Sequence, residues 1–130
     1  MALNYIDVVA VLALFQFVFF SALVGQARGK YGVAAPAVVG HEQFERAYRV
    51  QMNTLEQLVA FLPALFLAGR YWPHAVVAGL GLVYLVGRLI YWRAYVSAPS
   101  TRGLGFVLTL LPTVLLLLAA LVGALVKHAP

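Results

Sequence analysis

The chain has 130 residues, 64% of them hydrophobic and 10% charged, with a mean hydropathy of +0.93. Soluble domains are charged at nearer a quarter of their residues, so this balance argues against a water-soluble globule and for a single membrane domain. The net charge of +5 comes without a lysine-rich run, and the arginines are interleaved with apolar helix. Nucleic acid is therefore not expected as a partner; anionic lipid headgroups and anionic ligands are. No cysteine is present. That excludes disulfides, a cysteine nucleophile and thiolate metal sites, so any thiol chemistry must use a thiol that the substrate brings.

The first apolar segment covers about 5–25 and is long enough to span a bilayer. Its leading MALNYID lacks positive charge, so it is expected to be a span and not a signal peptide. Asp7 is expected near a membrane surface. Gln16 falls in mid-span and reads as an interhelical hydrogen bonder. Residues 26–42 read as a loop, punctuated by Gly29, Gly32, Pro36 and Gly40. Arg28 and Lys30 sit just outside the membrane, where Arg28 could equally anchor the chain or hold an anion.

The second segment, about 44–68, begins FERAYRVQMNTLE. Arg49, Asn53 and Glu56 stand at i, i+4 and i+7, so a helix gathers a cation, an amide and an anion in one stripe. Pro63, in the apolar second half, should kink this helix. Residues 69–73 form a turn with interfacial aromatics. The third segment, about 74–95, carries Gly79, Gly81 and Gly87, which allow close helix approach. Its GxG lacks the preceding strand of a dinucleotide fingerprint. Tyr84, Arg88, Tyr91 and Tyr95 form a second polar stripe, and an arginine inside an apolar segment points to a polar cavity. The turn SAPSTR offers Ser100 or Thr101 as an N-cap for the fourth segment, about 103–126. That segment is almost purely aliphatic and reads as packing and lipid contact. Lys127 and His128 follow, in a tail with no retrieval signal.

The first and third loops, with their flanking helix ends, hold Arg28, Lys30, Arg46, Arg49, Arg93 and Arg102. The opposite side holds Arg70 and Lys127. The positive-inside rule then puts the charged loops in the cytoplasm and both termini outside. Both polar stripes lie at this cytoplasmic end and can face one another. Charged groups in apolar helices need partners. Arg49, Glu56 and Arg88 could pair internally. Yet cations outnumber anions here, and guanidinium grips a ligand carboxylate in bidentate fashion. A metal site is not expected, because His41, His74 and His128 have no ligand spacing.

These residues also resemble a known family. From QARGKYGVAAPAVVG through FERAYRVQMNTLE and GLVYLVGRLIYWRAY to Arg102, the chain resembles the membrane-associated proteins of eicosanoid and glutathione metabolism. The match is nearest the microsomal glutathione S-transferase and leukotriene C synthase branch. The resemblance implies an all-α four-helix transmembrane protomer, one domain over 1–130, assembled as a homotrimer. It implies glutathione as co-substrate, bound between subunits on the cytoplasmic side, and a hydrophobic electrophile entering from the lipid. By position, Arg49, Asn53 and Glu56 would hold the polar ends of glutathione. Gln51 would reach it from a neighbouring subunit, and Arg28, Arg88, Tyr91 and Tyr95 would complete the pocket. Arg102 matches the arginine that activates the thiol. Two positions depart from the pattern. Gln57 stands where tyrosine is frequent, and the proline usual soon after the glutamate comes only at Pro63. The expected activity is a glutathione transferase, with glutathione-dependent peroxidase activity on lipid hydroperoxides as an adjunct, in a bacterial inner membrane. The rival is a non-catalytic lipid binder resembling the lipoxygenase-activating protein, which lacks the second arginine and the glutamate of this motif.

Overall fold

The computed structural model describes residues 3–127. His128, and the external placement expected of both termini, lie outside the described residues. The described chain is all-helical: α1 Tyr5–Tyr31, α2 Glu42–Gly69, α3 His74–Ser97 and α4 Gly103–Val126, with a single 3-10 turn, Pro99–Thr101, before α4. All four long helices are apolar and long enough to cross a membrane.

α1 runs six residues further than its apolar core. QARGKY is polar but contains no residue that must break a helix before Gly32. There the chain turns at φ 68°, a left-handed conformation suited to glycine. The expected loop 26–42 therefore shrinks to residues 32–41. Asn4 caps the other end, its Oδ1 accepting from Asp7 N at 3.1 Å. His41, at the end of the expected loop, caps α2: its Nδ1 accepts from Gln43 N at 3.1 Å, and its ring stacks on Tyr31. Glu42 and Glu45 add negative charge to that first turn, where the helix dipole favours it. The N-cap expected from Ser100 or Thr101 is replaced. Pro99–Thr101 forms the 3-10 turn, Arg102 stands at the N-cap of α4, and Thr101 Oγ1 donates to Ala98 O at 2.7 Å.

The helices alternate in direction. α2 and α3 form a central pair; α1 packs on one side of it and α4 on the other, barely meeting each other. The mid-bundle core joins Ala13, Phe61, Leu65, Tyr84 and Leu116. Phe61 and Tyr84 stack with ring centroids 3.7 Å apart. Gln16 makes the expected interhelical bond, its Nε2 donating to Leu85 O at 3.0 Å. Gly81 and Gly87 mark close approaches: a Cβ at Gly81 would lie 2.5 Å from Val9, and one at Gly87 would lie 2.7 Å from the backbone of Leu108. Gly79, by contrast, faces open space. This topology brings the C-termini of α1 and α3 to the N-termini of α2 and α4, so both polar stripes reach one end.

Candidate functional site

A cavity of about 550 Å³ opens at this basic end between α2, α3 and α4. Arg49 and Asn53 line it from α2, Tyr91 and Tyr95 from α3, and Arg102 from the start of α4. Both expected stripes thus meet on one wall. The helical period places Arg49 one turn before Asn53, and Tyr91 one turn before Tyr95. The two tyrosine rings stack at 5.6 Å, and the Arg102 guanidinium lies 5.9 Å from the Tyr95 ring. Arg102 Nη1 donates to Pro99 O at 2.8 Å, so the 3-10 turn holds this side chain at the rim.

The remaining expected residues take distinct places. Glu56 pairs with Arg49 at 3.2 Å, yet the two side chains are 49% and 56% exposed for Arg49 and Glu56. The internal pair anticipated from sequence is therefore present, open and free to exchange partners. Asn53 is almost fully buried, and its Oδ1 has no hydrogen-bond partner. A buried acceptor left unpaired costs about 1–3 kcal/mol, so the cavity wall offers an acceptor to a donor. Gln51 points elsewhere, its Nε2 donating to Ser21 Oγ at 3.0 Å. Arg28 is tied to its own loop: it donates to Ala37 O at 2.7 Å and lies 4.8 Å over the Phe44 ring. Gln57 does not line the cavity.

Arg88 lies beneath the cavity, wholly buried. Its Nη2 donates to Thr54 Oγ1 at 2.8 Å and its Nη1 to Thr109 Oγ1 at 3.4 Å. Its guanidinium lies 4.3 Å from the centroid of the Tyr91 ring, and Nε has no partner. Among the described residues no carboxylate pairs with it. A cation at the bilayer centre costs about 2.5–3.5 kcal/mol on insertion scales; Arg88 lies nearer one end and costs less, and two hydroxyls and a ring offset part of it. Arg88 thus adds positive charge from behind the wall that Tyr91 presents.

Glu42 and Glu45, the two acids at the start of α2, are used structurally. Glu42 pairs with Arg46, which also donates to Val96 O and Ser97 O and so caps α3. Glu45 accepts from Gly40 N at 3.0 Å. The cavity wall is left with Arg49 and Arg102 and no carboxylate of its own.

Sequence reasoning missed Thr54 and Thr109 as the seats of Arg88, and Ser100, Gly103 and Phe106 as cavity lining. Thr109 had a signal: it and Thr113 carry the hydroxyls of the otherwise aliphatic fourth segment. The lining residues had none beyond their nearness to Arg102. No group of three or more His, Asp or Glu is placed to hold a metal ion among the described residues.

Fold and site together define an integral membrane four-helix protein with a cationic, tyrosine-walled pocket at one end. The chain belongs to the MAPEG family, whose pattern it matches over residues 6–122. It is 41% identical over 117 residues to human microsomal glutathione S-transferase 2, covering 90% of this chain and 78% of that protein. It is 39% identical over 84 residues to guinea-pig (Cavia porcellus) leukotriene C4 synthase, covering 65% of this chain and 56% of that protein. An uncharacterised protein from Synechocystis is 48% identical over 102 residues, covering 78% and 74%.

Proposed function

We propose that the protein is a membrane-bound transferase that adds the thiolate of glutathione to a hydrophobic electrophile. One observation carries this reading: a cavity whose wall has two arginines, two tyrosines, a buried unpaired amide oxygen and no carboxylate. Glutathione has carboxylates at both ends, an ammonium group, peptide N–H donors and a thiol. Arg49 grips one carboxylate in bidentate fashion. Asn53 Oδ1 accepts an N–H from the ligand. Glu56, released from Arg49, receives the ammonium. The relatives named above for glutathione transfer support the same ligand.

Arg102 activates the sulfur. A cation at a helix N-terminus opposes the macrodipole, so helix stability does not explain the arginine. Guanidinium and dipole together favour a bound thiolate over a thiol. The thiol proton passes to water, the sulfur attacks the electrophilic carbon, and the C–S bond forms as the bond from that carbon to its leaving group, such as an epoxide oxygen or a halide, breaks and its electron pair departs with that group. With a lipid hydroperoxide the thiolate attacks the terminal oxygen, the O–O bond breaks and the alcohol departs. A second glutathione then converts the sulfenic product to disulfide and water.

The site is shared in a homotrimer in this reading. Arg28 and Gln51 lie away from the cavity of their own chain and would complete that of a neighbour. The half-exposed Arg49–Glu56 pair also needs cover from lipid. The electrophile enters from the lipid between subunits. The arginine and lysine asymmetry supports a cytoplasmic cavity, in a bacterial inner membrane in this reading.

The test is glutathione binding to the purified protein in detergent, with thiolate followed by its ultraviolet absorbance. Arg102→Ala should keep glutathione affinity within a few-fold. Thiolate absorbance should fall, and turnover should drop by about tenfold for each unit of thiol pKa no longer lowered. Thiolate absorbance and turnover that both survive Arg102→Ala would leave Arg102 a mere anchor. A monomer in mild detergent that still binds glutathione would defeat the shared site.

A further inference from the structure

A second cationic feature of the basic end lies outside the cavity. Tyr84, Arg88 and Tyr91 point α3 into the protein; the opposite face repeats Leu82, Val86 and Leu89 at i, i+4 and i+7. These side chains are 51%, 52% and 45% exposed, an apolar stripe unsuited to water. Arg93 stands four residues further, at the top of the same stripe. Its guanidinium lies 5.4 Å from the Trp92 ring centroid. Beside it is an open groove of about 770 Å³, lined by Gln43, Leu89, Ile90, Arg93 and Val96.

A smaller groove of about 230 Å³ adjoins it, sharing Gln43 and Val96 and adding Lys30, Tyr31 and Trp92. Lys30 Nζ lies 5.4 Å from the Tyr31 ring centroid. Neither Lys30 nor Arg93 has an acidic partner among the described residues. The nearby acids are already engaged: Glu42 by Arg46 and Glu45 by the Gly40 amide. The Ser97 hydroxyl bonds carbonyls of its own helix, at Arg93 and Ala94. Two unpaired cations and the Gln43 amide are left facing the grooves, at the level where Trp92 and Tyr31 mark an interface.

We propose that these grooves seat the headgroup of an anionic glycerophospholipid, its phosphate between Arg93 and Lys30 and an acyl chain along Leu89, Val86 and Leu82. Charge selects the occupant. The site offers cations and an amide, and no carboxylate is free to receive the ammonium of a zwitterionic headgroup. The apolar stripe directly below Arg93 selects a lipid over free phosphate, which has nothing to place there. The site is separate from the cavity: none of the residues that line the larger groove also lines the catalytic pocket.

Trp92 is a built-in reporter, because the chain has two tryptophans and Trp72 lies at the other end of the bundle. Trp72→Phe protein is placed in nanodiscs holding equal mole fractions of brominated-acyl phosphatidylglycerol or brominated-acyl phosphatidylcholine in an unbrominated background. Phosphatidylglycerol should quench Trp92 more strongly. Each basic residue near an anionic lipid is worth about a fivefold enrichment, so Arg93→Gln or Lys30→Gln should each cut the preference about that much. Arg93→Lys should keep most of it. The reciprocal Trp92→Phe protein, reporting from Trp72, should show no preference. Equal quenching by the two lipids overturns the proposal, as does a preference that survives Arg93→Gln with Lys30→Gln. Quenching by neither lipid also overturns it, since this face would then be covered by protein. Inorganic phosphate that abolishes the preference at physiological concentration would reassign the site to the free anion.

Discussion

At the end of the bundle where α2 turns into α3, the polar side chains close on the protein itself. Trp72 Nε1 donates to Ala119 O at 2.7 Å, Lys127 Nζ lies 3.8 Å over the Trp72 ring and donates to Tyr71 O, and His74 Nε2 sits 3.1 Å from Gly69 O. At the opposite end Arg49 and Arg102 face a cavity, Arg88 lies behind it without a carboxylate, and Asn53 Oδ1 is unpaired. The first arrangement costs little and fixes the helices. The second leaves desolvated charge and an orphan acceptor uncompensated. Groups kept at such a cost, when a closed alternative exists in the same molecule, point to a ligand that completes them.

The largest expected effect belongs to the open end. Arg49→Ala or Glu56→Ala should weaken glutathione binding by ~2–5 kcal/mol, the range for truncating one partner of a buried charged contact in a complex. Stability should change by only about 0–1 kcal/mol, because the pair is half exposed without ligand. Calorimetric titration beside a thermal melt separates the two. Well-folded variants with unchanged affinity would place glutathione elsewhere.

Gly105→Ala comes next. A Cβ there would run into the backbone and Cβ of Tyr91. Overpacking of this kind costs about 1–3 kcal/mol, and here it pushes α4 away from the wall of the cavity. The melting temperature should fall and glutathione affinity with it. Gly103→Ala, open on all sides, is the control and should leave the melt unchanged.

Arg88→Met sharpens the contrast. Thr54 and Thr109 each still donate to a carbonyl of their own helix, Val50 O at 2.7 Å and Gly105 O at 2.8 Å, so no donor is orphaned. Replacing a buried charge by an apolar side chain of similar volume is often neutral or stabilising. Stability should therefore hold or rise. Glutathione affinity should drop by about 2 kcal/mol, the Coulomb effect of one charge over roughly 8–10 Å at an effective dielectric of about 20. A variant that melts lower and binds as before would make Arg88 a structural residue.

Much of this was legible from periodicity. The stripes of Arg49–Asn53–Glu56 and Tyr84–Arg88–Tyr91–Tyr95 depend on helical spacing alone, and apolar length fixed where α4 lies. The rest depended on what the elements meet. Nothing in QARGKY says that α1 will continue through it, because only Gly32 enforces the stop. Arg88 sits in the right stripe, but whether it lines the cavity or lies behind it is decided by Thr54 and Thr109 on two other helices. Gly79 and Gly81 look alike in sequence, yet one faces open space and the other faces Val9.

The smallest effect belongs to the closed end. Trp72→Phe keeps most of the aromatic surface and removes one hydrogen bond, that from Nε1 to Ala119 O. Ala119 O lies inside α4, where the helix already supplies it a partner, so the substitution leaves no unsatisfied acceptor. A hydrogen bond lost on these terms costs about 0.5–1.5 kcal/mol. Part of the attraction between Lys127 and the larger indole face goes too, worth about 0.5–1 kcal/mol at an exposed site. The thermal melt should therefore shift down slightly. Glutathione affinity, thiolate absorbance and turnover should not move, since the length of the bundle separates Trp72 from the cavity. A loss of glutathione binding in Trp72→Phe at unchanged stability would show that the two ends are coupled, and the division between a closed structural end and an open functional end would fail.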